Sequence, residues 1–77
     1  MTLTLYAKRT GCQQCIDLKR ALDARGIEYT TIYADESDDA REFLRAMGVG
    51  SVPAVFEDGA LRFVGFIPAE IIKLASA

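Results

Sequence analysis

The chain has 77 residues, a net charge of −2 and an apolar content of 51%. That leaves room for one hydrophobic core, so a single domain over residues 1–77 is expected. Acidic and basic residues are interspersed, which argues against a nucleic acid or an anionic membrane surface as partner.

Met1-Thr2-Leu3-Thr4-Leu5 lacks the basic region and long apolar core of a secretory signal. No apolar run is long enough to span a bilayer, so a cytoplasmic protein is the expectation. Leu3-Thr4-Leu5-Tyr6 alternates apolar and polar residues and predicts a strand. After a connection over residues 7–11, the spacing of Cys15, Leu18 and Leu22, with Ala21 beside them, predicts a helix from residue 12 to about 25. Gly26 suits a left-handed cap on it. Residues 27–33, rich in Tyr, Thr and Ile, predict a second strand.

Ser37, Asp38 and Asp39 place a capping hydroxyl and two acids where a helix should begin. Ala40, Phe43, Leu44 and Met47 follow at i, i+3, i+4 and i+7 as its apolar stripe, and Gly48 stops it. Residues 54–57 and 60–64 flank Asp58-Gly59, a hairpin signal. Pro68 suits the first turn of a last helix ending near residue 74. The predicted order is β-α-β-α-β-β-α: an α/β fold with a four-stranded mixed sheet and helices on both faces. Right-handed crossovers would put its site at the carboxyl end of the first strand.

The chain has two cysteines and no histidine. They form Gly11-Cys12-Gln13-Gln14-Cys15, at the predicted start of the first helix. Unpaired N–H groups of a helix start favour thiolate over thiol, and thiolate is the attacking form. Cys12 at the helix start is then the exposed, activated sulfur. Cys15, one turn further and on the apolar stripe, is the shielded one. Cys12 would attack a partner disulfide and Cys15 would resolve the mixed disulfide. Lys8 and Arg9 lie just upstream, as added positive potential or as plain solvated charge. A zinc site would ordinarily need four ligands, and with two cysteines and no histidine it would have to recruit carboxylates, so no metal is expected. A structural disulfide would close too short a loop to stabilise much.

The second signal is Ser51-Val52-Pro53-Ala54-Val55. A proline at a strand start removes no ladder hydrogen bond. With a cis bond at Pro53, the backbone of Val52 would stand beside Cys12, where an extended substrate could pair with it. Taken alone, X-Pro is ordinarily trans. Combined with the upstream cysteine pair, the cis form is expected.

With these two motifs in place, the sequence resembles the thioredoxin superfamily. Its compactness is similar to the glutaredoxins, and within them it most resembles the NrdH-redoxins. Cys12-Gln13-Gln14-Cys15 is close to that branch's Cys-Val-Gln-Cys. Phe63-Val64-Gly65-Phe66-Ile67-Pro68 stands beside its Trp-Ser-Gly-Phe-Arg-Pro, with Phe63 for Trp and Ile67 for Arg. The loop before Cys12 is one residue longer, with Gly11 as the insertion.

The resemblance implies a thioredoxin/glutaredoxin-like fold and a protein-disulfide reductase. Cys12 would be nucleophile, Cys15 resolving thiol and Pro53 the cis-proline, with Gly65, Phe66 and Pro68 matching the C-terminal motif. Together with Val52 and Lys8, placed by their own positions, Pro53, Gly65 and Phe66 are expected to meet the substrate. Where glutaredoxins hold glutathione with Gly-Gly and following acids, this chain has Val64-Gly65-Phe66-Ile67. The resemblance therefore implies thioredoxin reductase as the electron source, with NADPH used indirectly and no cofactor bound. It implies ribonucleotide reductase as the recipient and a monomeric protein. A glutathione-dependent glutaredoxin, an iron–sulfur or metal-binding protein using Cys12 from two chains, and a redox sensor without turnover are the alternatives.

Overall fold

In the computed structural model, which describes residues 2–76, one four-stranded sheet runs in the order β2-β1-β3-β4. The elements are β1 (Leu3–Ala7), α1 (Gln13–Ala24), β2 (Thr30–Tyr33), α2 (Asp38–Ala46), β3 (Ala54–Glu57), β4 (Ala60–Val64) and α3 (Pro68–Ser76). A 3-10 turn, Ala34–Glu36, joins β2 to α2. The thioredoxin-like architecture expected from the sequence is present. β1 and β2 are parallel, joined through α1, whereas β3 pairs antiparallel with both β1 and β4.

The alternation in β1 explains how both faces are covered. Leu3, Leu5 and Ala7 point to one face and are buried there with Cys15, Leu18 and Leu22 of α1 and Ile71 and Leu74 of α3. Tyr6 points to the other face, where it stacks on Phe43 of α2 with ring centroids 5.5 Å apart and meets Phe56 of β3 edge-on at 5.3 Å. Ala34, Leu44, Val49 and Ala54 fill in around these rings. Burying apolar area on both sides of one central strand is what holds the layers together.

Local chemistry explains the boundaries. Ser37 Oγ accepts the N–H of Ala40 at 3.1 Å and caps α2, with Asp38 and Asp39 in its first turn. Both residues of the β3–β4 turn have positive φ, 51° at Asp58 and 85° at Gly59, as a two-residue hairpin of this hand requires. Two expectations are corrected. Residues 27–29 lie outside β2, because the Ile27 N–H turns back to the Leu22 carbonyl and closes the end of α1. Met47 is not in the apolar stripe: α2 ends at Ala46 and Met47 is 41% exposed. Among the described residues, no helix is long and apolar enough to cross a membrane.

Candidate functional site

Cys12 is the N-cap of α1, in extended backbone conformation, and its sulfur accepts the N–H of Cys15 at 3.2 Å. The first turn of α1 carries no acidic residue, so no carboxylate competes for the helix N-terminus. Cys12 and Cys15 form a disulfide, with Cα atoms 5.3 Å apart. Cys15 is 2% exposed and belongs to the core, whereas Cys12 is half-buried. The two sulfurs thus differ as helix position requires: one reachable from solvent, the other shielded. When the bond is reduced, the amide dipoles facing Cys12 favour its ionised form.

The chain's other motifs converge on the same corner. The Val52–Pro53 peptide bond is cis. Val52 and Phe66, both half-buried, pack against the core cluster that also takes Cys12. The N–H of Gly65 donates to the Pro53 carbonyl at 2.7 Å, binding the segment before β3 to the segment after β4. Gly65 adopts φ 90°, and a Cβ there would lie 3.6 Å from Gln14 Oε1, so the Gly65 backbone comes near the Gln14 side chain in the first turn of α1. Beside Val52 lies a cavity of about 340 Å³ whose lining includes Arg41, Arg45 and Ser51. Arg41 and Arg45 were not singled out above, and no linear spacing marks them, since only the fold brings them beside Val52.

The basic residues upstream divide. Lys8 is exposed at the end of β1. Arg9 is committed elsewhere: its guanidinium pairs with Glu36 and lies 4.1 Å from the centroid of the Tyr33 ring, while its N–H donates to the Asp35 carboxylate at 3.2 and 3.3 Å. The hydrogen bond between them raises Arg9 above its ordinary pKa and lowers Glu36 below the usual carboxylate value. Arg9 is thus a structural cation of the loop, and its positive charge is matched by carboxylates. Phe63, which stands where the resembled branch has Trp, is buried in the core, whereas Phe66 is half-buried and Ile67 is 38% exposed. Among the described residues, no cluster of three or more Cys, His, Asp or Glu is arranged to hold a metal ion.

The family profile described as Glutaredoxin matches residues 3–62. The glutaredoxin-like protein NrdH of Salmonella typhimurium strain LT2 is 39% identical over 74 residues, spanning 96% of this chain and 89% of that protein. Its counterpart in Escherichia coli K12 is 39% identical over 77 residues, 100% of this chain and 93% of the relative. Among solved structures, the NrdH-redoxin from Escherichia coli, described as glutaredoxin-like with a thioredoxin-like activity profile, superposes with a TM-score of 0.87 at 35% identity. That match covers 96% of this chain and 95% of the other. A buckwheat glutaredoxin solved in complex with glutathione matches with a TM-score of 0.69 at 28% identity, over 92% of this chain and 64% of that one.

Proposed function

The chain belongs to the glutaredoxin family and is a thiol–disulfide oxidoreductase similar to the NrdH-redoxins, and on that premise we propose that it carries electrons from thioredoxin reductase to ribonucleotide reductase. In the first step the Cys12 thiolate attacks a sulfur of the partner's disulfide. A Cys12–partner disulfide forms and one partner thiolate leaves, taking a proton. Cys15 then loses its proton and attacks the Cys12 sulfur, which expels the second partner thiol. The partner has gained two electrons and two protons, and the chain is left with the Cys12–Cys15 disulfide. Thioredoxin reductase returns it to the dithiol with electrons from NADPH, so NADPH acts indirectly and the chain itself binds no cofactor.

The observation that carries the reading is the segment after β4. Val64-Gly65-Phe66-Ile67 replaces the glycine pair and acids that would hold glutathione, and the N–H of its Gly65 donates to the Pro53 carbonyl. The thioredoxin-like activity profile ascribed to the Escherichia coli relative agrees with it. In this reading the Val52 backbone pairs with an extended segment of the partner, seated by Pro53, Gly65 and Phe66, and Lys8 adds a positive charge to the same contact. The chain acts as a monomer in the cytoplasm.

A side-by-side turnover assay tests it. Thioredoxin reductase with NADPH should drive reduction of a protein disulfide, and glutathione with glutathione reductase should support little. The reverse pattern would make the chain a glutathione-dependent glutaredoxin. Failure to reduce the disulfide of ribonucleotide reductase, with turnover of other disulfides intact, would remove that partner alone.

A further inference from the structure

Tyr33 links the segment before the cysteine pair to the segment after it. The Arg9 guanidinium lies 4.1 Å from its ring centroid and the Lys19 ammonium 4.5 Å from it, and Lys19 Nζ also donates to the Tyr33 hydroxyl. Arg9 belongs to the loop that ends at Cys12. Lys19 stands on α1 about one helical turn beyond Cys15. The two flanks of the redox motif therefore meet on one ring.

That ring has a firm mount. Tyr33 ends β2 in register with Ala7, the last residue of β1, and packs against the main core cluster. The turn that follows supplies Asp35, which accepts the Arg9 N–H, and Glu36, which accepts from Arg9 Nη2 at 3.1 Å. An isolated exposed ion pair would contribute little. Here one arginine is held through its backbone, its guanidinium edge and its face at once, and each contact restricts the others.

We propose that Tyr33 is a positioning residue for the redox pair: through Arg9 and Lys19 it holds the loop carrying Cys12 and the helix carrying Cys15 in the relative placement their disulfide requires. The proposal rests on the dithiol–disulfide cycle and is independent of which proteins give or take the electrons. Two thiols held in a rigid frame react with each other at a high effective concentration, and loosening the frame lowers it. The equilibrium concerned is the Cys12–Cys15 disulfide plus two glutathione thiols, giving two cysteine thiols plus glutathione disulfide. Two electrons and two protons pass from glutathione to the chain. Loss of the clamp moves this equilibrium toward the dithiol and weakens the chain as a reductant.

The test equilibrates wild type, Tyr33→Leu, Tyr33→Phe and Arg9→Gln in glutathione redox buffers and measures the dithiol fraction by alkylation and mass. Melting temperatures are recorded in parallel, with Val49→Ala, on the opposite face of the sheet, as a destabilised control. Tyr33→Leu should shift the equilibrium about fivefold toward the dithiol, the scale of losing a partly exposed cation–π contact with its hydrogen bond. At about 30 mV per tenfold that is a potential about 20 mV less reducing. Tyr33→Phe and Arg9→Gln should shift it less and in the same direction. The proposal is overturned if Tyr33→Leu matches wild type, or if Val49→Ala shifts the equilibrium as far. Absence of any buffer-dependent Cys12–Cys15 disulfide in the wild type would instead overturn the redox cycle itself, and the clamp with it.

Discussion

The N–H of Gly65 donates to the carbonyl of Pro53 at 2.7 Å, which ties the end of β4 to the segment holding the cis peptide bond. Pro53 leads into β3 and Gly65 leaves β4, so the antiparallel pairing of those strands, with Ala54 opposite Val64, brings them into reach. The positive φ of Gly65 turns the chain onward toward Phe66.

Gly65→Ala should therefore damage the site and the fold together. An L-residue at this positive φ costs about 1–2 kcal/mol, whereas space is not limiting, since the new Cβ would sit 3.6 Å from Gln14 Oε1. Urea denaturation should show a loss of that size. The variant should also lose kcat/KM for a protein disulfide. Unchanged stability would mean that the backbone there relaxes without strain.

The unequal exposure of the two sulfurs predicts an unequal outcome in trapping. Cys15→Ser should accumulate stable mixed disulfides on Cys12 when exposed to an oxidised protein partner, because the resolving thiol is gone. Cys12→Ser should accumulate none, since Cys15 is 2% exposed. Non-reducing electrophoresis followed by mass spectrometry reads both. Equal trapping by the two variants would reverse or cancel the assignment of roles.

At the opposite end of the sheet, Tyr29 gives a pH signature unrelated to the redox chemistry. Burial, and then the hydrogen bond its hydroxyl donates to Asp23 at 2.9 Å, push its ionisation up to about 12. The folded value lies above the ordinary value of 10.0, so the fold favours the neutral phenol. That contribution to stability is complete below about pH 10 and is lost as pH rises through about 12. The difference in phenolate absorbance between wild type and Tyr29→Phe should report a late titration. Asp23→Asn should bring it earlier without returning it to the ordinary value, because burial is the larger cause. A Tyr29 titration near pH 10 would show that the phenol is solvated as in a free peptide.

Much of the molecule was legible in the residues because its signals are local. A capping serine, two acids behind it, an Asp-Gly turn and apolar spacings of two, three and four each act within a few residues. They placed each α-helix and strand of the described chain within a few positions, though not the 3-10 turn at Ala34–Glu36, and put the cysteine pair at a helix start. Met47 and residues 27–29 were misread for a local reason as well: a pattern of residue types does not show where a helix's last carbonyls find their donors, and here Ile27 supplies one.

What the linear order left open depends on residues far apart in the chain. Arg9 reads first as solvated charge and only second as a cation for the sulfur. It is Asp35 and Glu36, delivered by the turn after β2, that claim it. Phe63 and Phe66 read alike as rings within one short apolar stretch, and only the pleat of β4 buries the first while the chain beyond it leaves the second half-open. The chemistry of the pair Cys12 and Cys15 follows from three residues of spacing and a helix start, which the sequence alone determines. How that pair is surrounded was decided by tertiary structure, because side-chain partners are chosen by distance in space, and strand pairing sets that distance.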